Sequence, residues 1–447
     1  MFHEPHIVRY VISCKHPDTE TCRSDFDCGV EQIKRTCDKV PHNRDECQDS
    51  SSHSLKMALR SVAARVARSV RSTLEADGSE ALLRTVSSMA ASRGVVPVQE
   101  AKRFMVDAMT AVGTLHDHAE QLADVLVAAD YKGHFSHGLN RLDMYVADIE
   151  HKTTEPNAKP SLLKESPATA WVDGNNGLGP VVGNFCMDLA IKKAKNVGVG
   201  WVVAKRSNHY GIAGWYSRTA LDRGLLGMSF TNTSPLMSPT RAKQSALGTN
   251  PLSLAAPGKN GDSFVLDMAT TAVAVGKIEV QRRKGEPIAE GWAQDPEGRI
   301  TTDADLAFKT SCLMPLGGAE ITSGYKGYGL GLLVETFCGI LAGATFGPNI
   351  RRWMENTDRP ADLGQCFVAI DPQCFAPGFE DRMSELMDYL RGMQPSEQSK
   401  PVLVPGDPER NHMKMVDEEG GIRYHENQLK ASAALATQLS ITPMQLK

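Results

Sequence analysis

Between Thr169 and Gly285 the chain keeps changing its period. TAWVDG, VGWVVAKRS, LGMSFTNTS, LSLAAPG and SFVLDMA are short, β-branched and aromatic runs. GPVVGNFCMDLAIKKAKNVG, GIAGWYSRTALDRGL and TTAVAVGKIEVQRRKG are longer runs with helical spacing, placed between or after them. Only layers of helix on sheet satisfy such an alternation, so the spacing predicts a mixed α/β layer. It predicts strands at each short run and helices at each long one.

The rest of the chain is read around that layer. Its 447 residues suffice for two or three domains with a sizeable core. VPVQEAKRFMVDAMTAVGTLHDHAEQLADVLVAADYKG reads as two helices, with apolar recurrence at Phe104, Met105, Ala108 and Met109 and then at Leu115, Leu122, Leu126 and Ala129. A further helix is expected over Arg141–Ile149, then a polar loop (HKTTEPNAKPSLLKESP) as a boundary. The resulting division is 1–94, 95–165, 166–345 and 346–447, the last segment packing back on the first helices. Charged residues make up 23% of the chain and the net charge is −4, so no basic excess points to nucleic acid or a membrane surface. No apolar run reaches the roughly 20 residues of a membrane span. GLGLLVETFCGILAG carries Glu335 and reads as a buried core helix.

The first 94 residues differ. Cys14, Cys22, Cys28, Cys37 and Cys47 lie in polar surroundings without a CxxC pair, which reads as an extension rather than a core. Cys186, Cys312, Cys338, Cys366 and Cys374 lie in apolar segments and are expected to be buried thiols. In LKMALRSVAARVARSVRST, arginines 60, 65, 68 and 71 share one helical side and Leu59, Val62, Val66 and Val70 the other. A basic amphipathic helix without acids has the composition of a mitochondrial targeting segment, and a solvated helix without that role is the alternative. The location expected is therefore mitochondrial or cytoplasmic. Met57 as a start would place the cysteine-rich stretch outside the mature protein.

Several motifs bear on chemistry. GLGPVVG follows a strand and opens a helix, but its spacing is not that of a dinucleotide-binding Rossmann loop, and close strand-to-helix packing explains it equally. His116 and His118, and His134 and His137, could be metal ligands by residue type. A helical i, i+2 pair points to different faces, however, and both His116 and His118 fit an exposed first turn, so no metal is expected. In GHFSHGLNRLDMY, residues His137, Arg141 and Tyr145 fall at four-residue intervals, one stripe of a helix. A proton-transfer group, a bidentate cation and a phenol suit a small anionic substrate. A helix entry with a surface histidine would explain the stretch alone. KRSNHYGIAGWYS adds a second histidine, His209, at a strand end before a helix, where α/β layers collect ligands. Loops of small residues around Thr233, Asp267 and Lys326 would admit an extended cofactor to the backbone.

Taken in order, GHFSHGLNRL, VDGNNGLG, SNHYGIAGWYS, GTNPLSLAAP, LDMATT, EGWAQD and GYKGYGLGLLVE resemble the malate/L-lactate dehydrogenase family that lacks a Rossmann domain, with its ureidoglycolate, sulfolactate and diketogulonate dehydrogenases. The resemblance runs from about Val95 to the tail. It implies a family-specific NAD(P)-binding sheet domain plus a helical domain built from N- and C-terminal segments, and a homodimer. It implies reversible hydride transfer between NAD or NADP, NAD favoured, and a small 2-hydroxy/2-oxo acid, malate first. By motif, His209 resembles the general acid/base with His137 a second candidate; Ser136, Arg141 and Tyr145 resemble substrate contacts. Thr233, Asp267, Met268, Ala269, Gly317, Gly318, Lys326, Pro405, Gly406 and Asp407 resemble cofactor contacts. One departure stands before GTNP: Thr240, Arg241, Ala242 and Lys243 occupy the place of a Gly-Gly loop. A nucleotide-binding homologue without activity and a metal-dependent hydrolase are the competing classes.

Overall fold

The computed structural model describes residues 94–353 and 358–447. The extension, its five cysteines and the basic amphipathic stretch therefore lie outside the described residues. The chain enters through β1 (Val95–Val96), α1 (Val98–Ala111), α2 (His116–Tyr131) and α3 (Leu142–Glu150). Both expected helices of this segment form. Phe104, Met105, Leu122 and Leu126 are fully buried between them, each such side chain contributing roughly 1.5–3 kcal/mol of burial.

Next come β2 (Ser161–Glu165), β3 (Thr169–Asp173), α4 (Gly179–Val197), β4 (Val199–Ser207), α5 (Ala213–Leu221), β5 (Leu226–Thr231), β6 (Leu252–Pro257) and β7 (Ser263–Met268). A smaller lobe follows, with α6 (Val275–Lys284), β8 (Ala293–Gln294), β9 (Ile300–Thr301) and α7 (Ala304–Thr310). Then come α8 (Gly324–Glu335), continued by a π turn, β10 (Leu363–Ile370), α9 (Phe379–Arg391), α10 (Asp407–Glu419), β11 (Ile422–Arg423) and α11 (Glu426–Leu439).

Seven strands form the sheet in the order β2-β3-β4-β10-β5-β6-β7. Only β3 and β4 pair in parallel, with α4 as their crossover; every other neighbour is antiparallel. The layer is thus mixed α/β, as its spacing predicts, but the alternation does not report strand direction. Two strands differ from the sequence reading. Ser161–Glu165, inside the expected boundary loop, is an edge strand with all five residues exposed. Leu363–Ile370, expected to pack on the first helices, is the central strand. Its Phe367 and Ala369 pack under α4 and α5, while Cys366 and Val368 meet Val334 and Cys338 on the other face. In the remainder of the tail, Val416, Ile422, Tyr424 and Ala436 join the core of α1–α3.

The long apolar run is buried on one side only. Val334 and Cys338 are fully covered, whereas Leu332, Leu333, Ile340 and Leu341 are 41–55% exposed. Of the described cysteines, Cys374 alone is exposed, contrary to expectation. His118 is also a correction: it is buried, its Nδ1 3.0 Å from the Pro156 carbonyl, while His116 is exposed.

Candidate active site

Helix α2 stops at Gly133, whose φ of +87° no side chain readily adopts. The chain then makes two 3-10 turns, Phe135–His137 and Leu139–Arg141, separated by Gly138. The single helical stripe expected for His137, Arg141 and Tyr145 therefore does not exist, because the chain breaks at Gly138. The cause is Asp130, whose buried carboxylate lies against Gly138 and accepts from Leu139 N at 2.8 Å; any side chain at 138 would overlap it. The loop still converges. Arg141 Nε donates to the Ser136 carbonyl (2.8 Å), and Ser136 Oγ lies 2.8 Å from His137 Nδ1. Tyr145, from α3, reaches His209 rather than the cavity lining, its hydroxyl 2.5 Å from His209 Nδ1.

His209 stands where β4 ends. The central strand anchors that bend: Ser207 Oγ donates to Gln365 Oε1 (2.8 Å), and Gln365 Nε2 donates to the Asn208 carbonyl (2.9 Å). Asn208 Nδ2 in turn donates to the Gly177 carbonyl at 2.9 Å. Gly179 lets the start of α4 touch this backbone, since a Cβ there would collide with the carbonyls of Asn208 and His209. The glycines of GLGPVVG thus serve close packing. No Rossmann loop is built from them.

His134, Ser136, His137, Arg141, His209, Thr233, Asp267, Met268 and Ala269 all line one cavity of about 640 Å3, within the range of roughly 300–1,000 Å3 usual for ligand sites. Burial, then the Arg141 charge, pushes the His137 imidazole down to about 3. Burial, then His137 and Arg141, holds His209 well below its ordinary value. Both rings are neutral at pH 7. Burial also works against the Arg141 charge, which guanidinium keeps nonetheless, so an arriving carboxylate relieves it. Asp267 spends one oxygen on Gly214 N (2.7 Å) at the start of α5.

Other expected contacts fall elsewhere. Gly317 and Gly318 form a left-handed turn beside the cavity, where Leu316 supplies the lining. Lys326 is exposed on α8, outside that lining. The Pro405 carbonyl accepts from Val265 N, Gly406 borders a small cleft that it shares with Asp267 and His134, and Asp407 is taken up by Arg391 (2.8 Å) and Arg410. Arg241, in the departing loop, pairs with Glu320 at 2.6 Å, so its charge is not left for a ligand. Sequence reasoning missed Asp148, Arg351, Arg352 and Trp353, all of which line the cavity. Only a local signal in RRW, two cations beside an aromatic, could have marked the last three.

A nicotinamide dinucleotide fits this donor set. The first residues of α6, Val275, Gly276 and Lys277, line the cavity; Lys277 N donates to the Ala274 carbonyl, and no side chain caps that helix end, which leaves the N–H groups of Val275 and Gly276 for a diphosphate. Thr231, Thr233, Thr249 and Thr271 line the same space.

Residues 96–431 match the family model of malate/L-lactate dehydrogenase. The chain is 41% identical over 316 residues to malate dehydrogenase of Pyrococcus horikoshii, covering 70% of this chain and 86% of that one. The solved structure of that organism's malate dehydrogenase superposes with a TM-score of 0.72 at 36% identity, covering 78% and 96% of the two chains. L-sulfolactate dehydrogenase of Methanocaldococcus jannaschii is 40% identical over 326 residues, 72% of this chain and 92% of that one. Ureidoglycolate dehydrogenase (NAD(+)) of Escherichia coli O157:H7 is 32% identical over 296 residues, 66% of this chain and 82% of that one. With the cavity, its histidines and its cation in place, the chain belongs to the malate/L-lactate dehydrogenase family and is a nicotinamide-dependent dehydrogenase of 2-hydroxy acids.

Proposed function

We propose that the substrate is a small dianionic 2-hydroxy acid, malate before sulfolactate, and that His209 moves its proton. The observation that carries this is the Tyr145–His209 hydrogen bond beside a buried arginine. It occupies Nδ1 and leaves Nε2 for the cavity the ring lines. With its proton on Nδ1, the imidazole donates to the Tyr145 oxygen, and Nε2 is a base toward a hydroxyl. In the reduction the doubly protonated ring gives its Nε2 proton to the carbonyl oxygen and returns to the same neutral form, its Nδ1–H still held by the Tyr145 oxygen. Both directions of the reaction are thereby served. Arg141 takes the carboxylate next to the carbinol carbon as a two-pronged clamp. Arg352, on the same cavity with its Nη2 on Ser245 Oγ at 2.7 Å, favours a second anionic group on the substrate, whereas the charge of Arg351 is balanced by Asp148. His137, paired with Ser136, shares the wall and assists orientation.

A nicotinamide cofactor supplies the hydride acceptor when bound. The backbone of 267–269, Thr233 and the start of α6 would hold it, and NAD is the form expected to serve first. Two copies of the chain are expected to associate, supported by the exposed leucines and isoleucine of α8 and its π turn. The deciding experiment offers the purified protein malate, sulfolactate, lactate and ureidoglycolate with NAD and with NADP, followed at the nicotinamide absorbance. Malate with NAD should give the highest kcat/KM. A preference for lactate would refute the dianion reading, and preference for NADP would reverse the cofactor choice.

A further inference from the structure

Four rings meet beside the cavity. His209 stacks with His137 (centroids 5.8 Å apart, planes at 19°) and with Trp353 (4.4 Å, 29°). Tyr145 meets both His209 and Trp353 at its edge, at 5.7 Å and 5.4 Å. The indole is not a loose cover. Its Nε1 donates to Asp148 Oδ2 at 2.9 Å, and its backbone N donates to Ser234 Oγ at 3.0 Å. Asp148 lies one helical turn after Tyr145 on α3, is 4% exposed, and accepts also from Arg351 Nη2 (2.7 Å) and Thr153 Oγ1 (3.2 Å). A buried carboxylate held by a guanidinium, an indole and a hydroxyl has one arrangement that satisfies it. Turning the indole would take one of two donors from Oδ2, leaving it Arg351 Nη2.

We propose that Trp353, anchored by Asp148, is a positioning residue that fixes the His209 ring plane and supports the charge the imidazole gains with the substrate's proton. The inference rests on His209 as the proton-transfer group. In the oxidation, the substrate O–H bond breaks and an N–H bond forms at Nε2. The pair left on oxygen becomes the carbonyl bond as the hydride leaves C2 for the nicotinamide cofactor. The imidazolium so formed faces His137, Arg141 and Tyr145 on its other sides. Two of these offer no negative charge and the third is cationic. The indole face supplies electron density there. Asp148 and Arg351 compensate each other behind it. Ring placement matters because a misplacement of about 1 Å can cost roughly a hundredfold in rate.

The test compares W353F, W353L and H209A with the wild type on the best substrate, measuring kcat, KM, cofactor Kd by nicotinamide fluorescence, and the D2O effect on kcat. W353F keeps a ring on His209 but loses the Nε1 bond to Asp148, so its kcat should fall between those of the wild type and W353L. W353L should lose roughly ten- to a hundredfold in kcat with cofactor Kd unchanged, and its solvent isotope effect should rise as proton transfer slows. If W353L does not fold, W353M, which fills more of the space without a ring, takes its place. Wild-type kcat in the ringless variant, or an equal loss in W353F, overturns the inference. So does a loss confined to cofactor binding. An active H209A overturns the reading of His209 beneath it; an inactive H209A beside a normal W353L overturns the role of Trp353 alone.

Discussion

Two imidazoles that stay neutral far below pH 6.5 make the cavity ready to take a proton over a wide range. Burial lowers both, so the free enzyme's base is in its working form down to acidic pH. The acid limb of kcat/KM should accordingly lie below pH 6, and a limb at 6.5 or above would show a solvated base instead. H209A should reduce kcat by roughly 10²–10⁴-fold with cofactor Kd preserved, and near-normal turnover in it would shift the role to His137. R141K should raise KM for every 2-hydroxy acid, because a point charge cannot reproduce the two-pronged clamp, and an unchanged KM would remove Arg141 from substrate binding. These residues were legible because each sits in a short motif at a strand end or helix entry. Trp353 and Asp148 were not, since they lie 205 positions apart and only folding joins them.

At the scale of elements, the loop that carries His137 and Arg141 depends on a carboxylate in α2. Asp130 is fully buried and accepts from Leu139 N and from the Tyr424 hydroxyl at 2.7 Å. Burial pushes its carboxyl up to about 7, the two hydrogen bonds offsetting part of that rise. The folded state thus holds this proton more tightly than the unfolded chain, where the value is near 4. The stability it contributes is complete below pH 4 and is lost as pH rises through 7, by at most about 4 kcal/mol. D130N keeps an acceptor for both donors without the charge, so its advantage over the wild type in urea should grow from pH 5 to pH 8. A constant difference across that range would disprove the buried proton. The strands show what local reading can reach. β4 was legible over its whole length because it is an apolar run rich in β-branched and aromatic residues that ends at polar ones. β10 was hidden in a tail of helices, and its partners, β4 and β5, lie far back in the chain. β2 carries Lys164 and Glu165 on a solvent-facing edge and looks like a loop.

For the whole molecule, the two ends of the described chain close on each other. Tyr424 N donates to the Gly94 carbonyl and Lys447 N to the Val95 carbonyl, and β1 pairs with β11. The helical core draws on both ends, with Val96, Phe104 and Leu122 beside Ile422 and Ala436. Such a composite core has no local signature; the tail's mix of helix and loop pointed back to the first helices, and the resemblance implied the same helical domain from both ends. Since the buried cores of residues 92–447 are built from Val95 onward, a protein starting at Ser92 should fold and match the full chain in kcat/KM. Its elution on gel filtration should correspond to the same number of copies as the full chain gives. Aggregation, or a drop in turnover beyond about threefold, would mean that the first 91 residues support the enzyme. Their address function is a separate matter. A basic amphipathic helix is drawn by a negative-inside potential and by an apolar receptor groove, so residues 57–80 fused to a fluorescent reporter should carry it to mitochondria. Replacing arginines 60, 65, 68 and 71 by glutamine should abolish that import while leaving the apolar side intact. A reporter that stays cytosolic with the arginines in place would end the targeting claim and leave the segment a solvated appendage.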